Sequence, residues 1–562
     1  MSDYVSLRHR VKINKKVREI VARFDTLAEV RTGSAIERWL GRISFFFLAL
    51  MVLAVPHSIA GSQTAWILGS LALIGRLFFA RQLPFRPGLL DAALWAFFAW
   101  SLLTSILSYE PLISLDKLRG VAVFLAFYFV LYNLRNKAAA GFLAFLLIGS
   151  CMVNVLWVPV ERMIGRGVEI SGLRPDSPLA KALLWDGDTL LEVNGRSVND
   201  PSEVVKRLRS AESSKVKFYR PDFEFTVEVK RSDIVDGPDA LQALGITGWK
   251  KSRNWRSSGF YGHYATYAEV LQLVGSLGMG LFLALFAQAH FRKRTRSTSV
   301  TVDEAIKATG AEQRKRSHLA TGLLLGISVI GIAFALLLTL TRAPQLALII
   351  SALSMVLLAL GQRRLIVSAL IMVPIAIGAL VFLERSRHIG FIDPKDESTQ
   401  YRQMMIRDGL RLWTESPRHF IFGVGMDSIK KHWQEWGLFD GGRQPLGHFH
   451  STPLQLLVER GLPALLIWLM ILGVYARSLW FGLGQSIDSD SESNWVAYGI
   501  LLGCTGGTLG FFVSGLVHYN LGDQEAAMVF FVMMAFGIRI VSDEKALVAP
   551  MLTEPVSQRL AA

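Results

Sequence analysis

Long runs of apolar residues are the feature that most constrains what this chain can fold into. A helix needs about 20 predominantly apolar residues to cross the hydrocarbon core of a bilayer. The chain is 51% hydrophobic with a mean hydropathy of +0.37, which is too apolar for a soluble globular protein. We therefore predict an all-α polytopic membrane protein with about 12 transmembrane helices. These spans are expected at residues 43–61, 64–80, 87–108, 118–134, 138–160, 264–289, 319–341, 345–360, 365–383, 453–481, 495–518 and 524–541.

Basic residues recur in alternate loops between the predicted spans. The formal net charge is +15, and Lys and Arg gather at the N-terminus and in every second loop. Because basic loops stay on the cytoplasmic side, this bias predicts that both termini lie inside and that the two long loops lie outside. The excess of positive charge also suits an anionic substrate. Nucleic acid is excluded as a partner, because the charge is scattered among the spans. The basic clusters are Arg81 with Arg86, Arg135 with Lys137, residues 292–294 with 314–316, and Arg363 with Arg364.

The two chain ends and the cysteines add little chemistry. Apolar residues recur at helical spacing between Val17 and Val30 among Lys and Arg, which predicts an amphipathic helix on an anionic lipid leaflet. A solvated cytoplasmic helix is the alternative. Cys151 and Cys504 both fall inside apolar runs, so neither a disulfide framework nor a cysteine metal site is expected.

The predicted organisation divides the chain into eight segments. They are a basic cytoplasmic amphipathic segment (1–42), transmembrane helices 1–5 (43–160), a small outer domain (161–232), an outer linker (233–263), transmembrane helices 6–9 (264–383), a large outer loop (384–452), transmembrane helices 10–12 (453–541) and a cytoplasmic tail (542–562).

The outer domain at 161–232 has the sequence of a small α+β module. Asp186-Gly187 and Asn194-Gly195 favour turns, and residues 189–193 alternate like a strand that enters a hairpin. The order Pro-x-Ser-Pro … Gly-Asp-x-Leu-x-x-Val-Asn-Gly resembles a bacterial PDZ domain. The resemblance implies capture of an extended peptide or a C-terminus beside a strand near 165–168. A packing module without a peptide or protein ligand is the alternative.

The large loop at 384–452 is the predicted functional centre. His448 and His450 stand at the mouth of a long apolar run. A titratable imidazole at a membrane boundary, faced by a basic loop, suits an anionic lipid-linked substrate. The alternative is that His450 only caps or anchors a transmembrane helix. Residues 401–413 are expected to be helical and carry Arg402, Arg407 and Arg411.

Three further residues are candidates outside this loop. Arg342 lies where one span ends on the outer side and the next begins, a position at which a charge is costly unless it is paired or faces water. Snorkelling to the headgroups is the alternative for Arg342. Arg256 and His263 lie in an aromatic, basic segment just before a span, where they line a substrate or belong to an aromatic belt.

These residue types together favour transfer chemistry on a phosphorylated lipid. A guanidinium forms bidentate, charge-assisted bonds to a diphosphate. A neutral imidazole can take the proton of a sugar hydroxyl as that hydroxyl attacks an anomeric carbon. No group of Asp, Glu and His has metal-ligand spacing, so we expect arginine rather than Mg²⁺ to stabilise the leaving group, with no metal and no cofactor.

The constellation resembles the O-antigen ligase and polymerase superfamily of bacterial membrane glycosyltransferases. The matching motifs are Thr341-Arg342-Ala343, the run from Arg402 through Trp413 to Gly423-x-Gly425, and His450-Ser451 with Gly461 after nine residues. The resemblance implies a GT-C-like helical fold and a metal-independent enzyme of the inner membrane whose site faces the periplasm. Such an enzyme moves a glycan from undecaprenyl diphosphate to lipid A core or to a growing glycan. It also implies His450 as the base and Arg342 and Arg402 as diphosphate-binding residues.

Two other classes of function were weighed against the leading prediction of a ligase. Within the superfamily, an O-antigen or exopolysaccharide polymerase is the alternative. A transporter of lipid-linked sugars would carry ionisable or broken-helix sites near mid-membrane, often in repeated halves, whereas here the candidates cluster at the outer boundary. A sensor of envelope proteins would need a signalling output domain, and none is visible in the sequence.

Overall fold

A computed structural model of the chain describes residues 18–30, 33–80, 88–220, 223–234, 239–295, 304–360, 397–443, 447–487 and 495–553. The chain divides into two compact units. The first, here called the helical unit, comprises Met1–Met152, Phe260–Leu336 and Thr341–Ala562. The second, here called the inserted unit, comprises Val153–Gly259 and Leu337–Leu340.

Helices make up most of the described chain. In order they are α1 (18–28), α2 (Ala35–Ala54), α3 (Ile59–Ala80), α4 (Leu89–Ile106), α5 (Pro111–Val121), α6 (Leu125–Asn133), α7 (Lys137–Ile164), α8 (Pro178–Lys181), α9 (Pro201–Leu208), α10 (Ala240–Leu244), α11 (Tyr264–Thr295), α12 (Glu304–Leu338), α13 (Arg342–Leu360), α14 (Glu397–Thr414), α15 (Pro417–Phe422), α16 (Ile429–His432), α17 (Leu438–Gly442), α18 (Thr452–Ile487), α19 (Trp495–Gly515) and α20 (Gln524–Thr553).

Within the described residues, nine helices are long and apolar enough to cross a membrane. They coincide with nine of the predicted spans, which confirms a multi-pass membrane protein of mainly helical structure. The qualifying segments are Ile59–Ala80, Leu89–Ile106, Lys137–Ile164, Tyr264–Ala287, Arg316–Leu338, Arg342–Ala359, Thr452–Gln485, Trp495–Gly515 and Gln524–Asp543.

The other three predicted spans are not among these nine. The first, 43–61, is interrupted because α2 ends at Ala54 and a turn precedes α3. The fourth, 118–134, is divided among α5, a 3₁₀ turn at Ala122–Phe124 and α6, so it holds no single helix of spanning length. The span predicted at 365–383 lies outside the described residues.

Small residues set the closest helix packing in the helical unit. A Cβ on Gly280 of α11 would lie 2.3 Å from the backbone nitrogen of Gly503 in α19. The two backbones therefore touch, as is common where glycine replaces side chains between membrane helices. This contact helps to bury the α11 segment, and Leu277 and Leu281 on it have no exposed surface.

The inserted unit is built on an antiparallel sheet. Its strands are β1 (Arg166–Ser171), β2 (Thr189–Val193), β3 (Arg196–Ser197), β4 (Ser213–Arg220), β5 (Phe223–Lys230) and β6 (Gly248–Ser252). The order is β5-β4-β2-β1-β6, and β3 pairs with β2 through the Asn194-Gly195 hairpin. The predicted strand at 189–193 and the predicted helix near 201–208 are both present.

The sheet reaches beyond residue 232, the boundary predicted from the sequence. Strand β6 and helix α10 lie in the segment predicted as a linker, and β6 pairs with β1 through Ile170 and Trp249. Ala243 and Leu244 of α10 are buried in the same core as Val204 of α9. Apolar residues of this segment therefore complete the core of the unit. The PDZ resemblance of the unit remains a prediction.

Candidate functional site

The helical unit contains a cavity of about 440 Å³ lined by both apolar and polar residues, here called its apolar wall and its polar wall. Among the residues of the polar wall, His263, His448 and His450 were predicted from the sequence. A cavity with these two kinds of wall suits an amphiphile with an apolar tail and a polar head. The apolar wall includes Leu94, Phe97, Phe124, Trp468, Ile471 and Phe531.

The loop at residues 447–451, here called the histidine loop, is anchored through Phe449, the residue between its two imidazoles. Phe449 is fully buried against Phe439, with ring centroids 5.2 Å apart. The backbone N–H of Phe449 also donates to Gln455 Oε1 at 2.7 Å. The loop bends at His448 and at His450, on either side of the buried Phe449, and both imidazoles line the cavity. The two imidazole centroids are 4.4 Å apart.

Both imidazoles are held in the neutral form. Burial lowers the pKa of His450 to about 3, and the positive charges that His448, His518 and Arg402 can carry add to the effect. Burial lowers the pKa of His448 to about 4, with contributions from His518 and Lys430. Within the described chain neither imidazole takes part in a hydrogen bond or an ion pair. A neutral imidazole with a free ring nitrogen can accept a proton.

Helix α18 follows the histidine loop and is broken at Gly461. This glycine has φ 72° and ψ 179°, and a Cβ there would lie 1.9 Å from the carbonyl oxygen of Ile421. The break frees carbonyls of the preceding turn, which accept hydrogen bonds from residues 422–427, here called the glycine turn. The N–H of Val424 donates to Val458 at 2.9 Å, and the N–H of Gly425 donates to Glu459 at 2.9 Å. The glycines at 423, 425 and 461 thus all lie at one close backbone contact between residues 421–425 and α18, here called the glycine junction.

That junction places a carboxylate in the cavity wall. Glu459 is 2% exposed and accepts the backbone N–H of Asp427 at 2.8 Å. Asp427 itself has φ 57°, a left-handed conformation that Asp and Asn adopt more easily than most residues. Its Oδ2 lies 2.9 Å from Nζ of Lys117 and 3.0 Å from Nζ of Lys430. Burial raises the pKa of Asp427, but the two ammonium groups outweigh it and hold that pKa below its usual range.

Arg460 adds a buried cation to the same wall. It is 4% exposed, and its guanidinium lies over Phe97, 5.4 Å from the ring centroid. It donates to Ser101 Oγ at 3.3 Å and to Tyr519 Oη at 3.4 Å. Its Nε has no hydrogen-bond acceptor among the residues that the structure describes. Arg460 is therefore a membrane-embedded charge whose hydrogen-bonding capacity is only partly used.

A polar network ties the histidine loop to the connection between α19 and α20. Glu269 of α11 has no exposed surface and accepts from Ser514, from Asn520 at 3.3 Å, and shares a hydrogen bond with His518 Nδ1 at 3.1 Å. The carbonyl of His518 in turn accepts the backbone N–H of Thr452 at 3.2 Å. Burial lowers the pKa of His518, but the Glu269 carboxylate more than offsets this, and the net pKa lies above its usual value.

The predicted arginines do not line this cavity. Arg402 lies on α14, as predicted, and is close enough for its charge to lower the pKa of His450. Arg342 begins α13 and is partly buried. Arg256 belongs to the inserted unit and donates to the carbonyls of Thr339 at 3.2 Å and Leu340 at 2.7 Å.

Arg407 and Arg411 also lie on α14, and their contacts are those of surface residues. The Arg407 side chain is 75% exposed beside Asp408, and Arg411 donates to the carbonyls of Trp436 and Gly437. No group of three or more His, Cys, Asp or Glu side chains suited to a metal ion occurs in the described ranges.

Several residues of the polar wall were not predicted as site residues. Lys117 precedes a predicted span and Lys430 follows the glycine turn, so neither carries a motif. His518 and Tyr519 lie at 516–523, between α19 and α20, and polar residues between two apolar runs are a signal that could have drawn attention to them. Arg460 was visible as a charge inside an apolar run.

Two comparisons bear on identity. A segment of 86 residues, 15% of this chain, is 36% identical to the magnetosome formation protease MamE of Paramagnetospirillum magneticum and covers 11% of it. A segment of 82 residues, also 15% of this chain, is 37% identical to the magnetosome formation protease MamE of Magnetospirillum gryphiswaldense and covers 10% of that protein. The chain thus spans about a tenth of the length of these curated relatives.

The second comparison concerns the region that holds the histidine loop. Residues 327–469 match the family model of the O-antigen ligase. This range contains Arg342, Arg402, His450 and Gly461, on which the resemblance was based. It supports an O-antigen ligase- or polymerase-type membrane glycosyltransferase. The match supports the resemblance to the O-antigen ligase superfamily that the sequence motifs predicted.

Proposed function

We propose that this protein is a ligase that transfers a glycan from undecaprenyl diphosphate to lipid A core at the periplasmic face of the bacterial inner membrane. The observation that carries the proposal is the His448–His450 pair. It lines an amphipathic cavity in the neutral form, with no hydrogen bond from the described chain. The family match at 327–469 supports lipid-linked glycans and lipid A core as the substrate classes.

His450 acts as the base in this proposal. Its ring nitrogen takes the proton of an acceptor hydroxyl while the hydroxyl oxygen forms a bond to the anomeric carbon. The bond between that carbon and the diphosphate oxygen breaks, and undecaprenyl diphosphate leaves with the electron pair. Arg342 and Arg402 are proposed to stabilise that anion by charge-assisted hydrogen bonds, without a metal ion.

The low pKa of His450 has a consequence for this step. A base with a pKa of about 3 is weak, whereas catalysis is best served by a pKa near the working pH. A diphosphate in the cavity brings negative charge next to the imidazole, and a nearby anion raises the pKa of a cationic acid. The substrate therefore increases the basicity of His450 as it binds, and His450 stays neutral in the empty site.

The proposal is tested with the full chain in nanodiscs, an undecaprenyl diphosphate-linked glycan and lipid A core, with EDTA present. We expect glycosylated lipid A core and free undecaprenyl diphosphate in equal amounts. Loss of all activity on chelation would overturn the metal-independent mechanism. A donor consumed without any acceptor modified would overturn the assignment as a ligase.

The alternative within the same superfamily is a polymerase, which joins repeat units to each other. A deletion strain separates the two reactions. Free polymer that is no longer attached to lipid A core identifies a ligase, whereas single-repeat products on the cell surface identify a polymerase. Reporter fusions at Asp427 and Ala311 test the proposed orientation, with Asp427 expected outside and Ala311 inside.

A further inference from the structure

Lys117 and Lys430 come from different elements and meet at one oxygen atom. Lys117 lies on α5 and Lys430 on α16, and both ammonium groups lie within 3.0 Å of Asp427 Oδ2. A single carboxylate cannot neutralise two cations, so this trio keeps one net positive charge. Both lysines line the cavity, and their side chains are 39% and 51% exposed.

The trio is held rigidly beside the histidine loop. Glu459 fixes the backbone of Asp427, and Asp427 fixes the two ammonium groups. The aliphatic stem of Lys430 packs against Gly447, the first residue of the histidine loop, where a Cβ would lie 2.9 Å from Lys430 Cε. The charge of Lys430 acts on His448, while the charge of Arg402 acts on His450. Lys117 and Lys430 line the cavity and Arg402 does not, so the two lysines and Arg402 are separate groups of cations.

The surroundings of the lysines fit the head of a lipid. Gly120 and Val121, one turn beyond Lys117, line the cavity together with Phe124 and Phe97. An anion at the ammonium groups would thus have an apolar path for an attached chain. The ammonium group is a compact point charge that binds phosphate without the planar geometry that a guanidinium requires.

We propose that Lys117 and Lys430 form a subsite for the phosphate group of an amphiphilic lipid, separate from Arg402, with Asp427 as the resident counter-ion that positions them. The identity of the anion rests on the proposed function. The phosphate belongs either to the diphosphate donor or to a phosphorylated lipid acceptor, and binding to each is measured separately.

The test measures binding to the full chain in detergent, with undecaprenyl diphosphate, diphosphorylated lipid A and uncharged undecaprenol as probes. Lys117→Met and Lys430→Met should each weaken the binding of one phosphorylated probe by about 3- to 30-fold, since each loses one partly solvated charge-assisted contact. The affected probe identifies the source of the phosphate. Undecaprenol should bind all variants equally.

Lys431→Met is the matched control. Lys431 is the next residue on α16, but its ammonium group pairs with Glu110 at 2.9 Å and it does not line the cavity. Its dissociation constants should stay within about twofold of wild type. Asp427→Asn, which keeps a residue suited to the left-handed backbone, should tighten binding of the same probe because it frees both ammonium groups.

The outcomes separate this inference from the proposed function. If both lysine variants bind both phosphorylated probes as wild type does, the subsite is overturned. If binding weakens as expected but wild-type protein transfers no glycan, the ligase assignment fails and the phosphate subsite stands.

Discussion

The inserted unit and the cavity of the helical unit use charge in opposite ways. In the inserted unit the buried Asp188, whose side chain is 2% exposed, receives a two-pronged hydrogen bond from Arg220 at 2.9 and 2.7 Å. In the cavity two lysines share Asp427, and Arg460 has no carboxylate within 4.0 Å among the described residues. Matched ions constrain a fold, whereas cations in excess of their partners are free to hold an anion. The predictions below test that contrast.

The largest effect is expected at the histidine loop. His450→Ala should lower the transfer rate by about 10²–10⁴-fold because the base is lost. The melting temperature should change little, since the imidazole forms no hydrogen bond with the described chain. Transfer assays and thermal unfolding of the same preparation measure both.

His432→Gln is the control for His450→Ala. His432 pairs with Glu110 and Glu435 and does not line the cavity, so its removal should leave the rate near wild type. Full activity in His450→Ala would show that His450 is not the base and would favour the alternative that it only caps a helix.

Substitutions in the inserted unit should lower its stability and leave the rate of glycan transfer unchanged. Arg220→Met leaves the buried Asp188 carboxylate without its cation, which is expected to cost about 3 kcal/mol of local stability. Hydrogen exchange in β2 and β4 of the full chain measures the loss. Lys250→Met is the control, because Lys250 is 73% exposed and its pair with Glu169 should contribute less than about 1 kcal/mol.

A fall in transfer rate in Arg220→Met would break the contrast between the two regions. It would mean that the inserted unit takes part in transfer or in recruiting a partner. An unchanged rate with faster exchange is the expected result. The same variants test whether a peptide ligand of this unit, if one binds, depends on the integrity of its sheet.

The arginines proposed to bind the diphosphate should differ in effect from an exposed arginine on α14. Arg402→Ala should lower transfer by about one to two decades, because a charge-assisted bond to the diphosphate contributes about 1.5–3 kcal/mol. Arg342→Ala should behave similarly. Arg407→Ala should have little effect, since the side chain is exposed beside Asp408. Recovery by Arg402→Lys above about half of the wild-type rate would argue against a bidentate contact.

The smallest effect is a pH dependence of stability from His518. Its pKa is raised in the folded protein, so its stabilising contribution is complete below the ordinary value of about 6.5. That contribution is lost as pH rises through the folded pKa. The melting temperature of wild type should therefore fall from pH 6 toward higher pH, and it should fall more than that of His518→Gln. If the melting temperatures of the two proteins change with pH in parallel, His518 is already neutral at pH 6.

Sequence patterns predicted the parts of this protein that depend on local composition. Apolar runs located nine spans, and turn dipeptides located the β2–β3 hairpin. The motif from Arg402 to Gly461 predicted the resemblance to the O-antigen ligase superfamily, which the match at 327–469 supports. The histidine loop was predicted because its imidazoles directly precede an apolar run, a pattern that a short stretch of sequence is enough to show.

The partners that complete the cavity could not be predicted in this way. Lys117 and Lys430 are separated by more than 300 residues, and they meet only because the Gly461 break draws the glycine turn against α18. The span predicted at 118–134 is divided between two short helices by a 3₁₀ turn, and hydropathy alone does not indicate where one helix ends and the next begins.

The dispersed origin of the cavity wall also bears on biosynthesis. The wall begins with Leu94 and is complete only when Phe531 has been added. A chain leaving the ribosome therefore holds the histidine loop in the membrane well before the last helix arrives to close the site. On the proposed function, a chain in which α20 has not inserted has an incomplete cavity and should transfer no glycan. Ribosomal pausing or early termination before residue 531 should yield protein that is membrane-bound and inert.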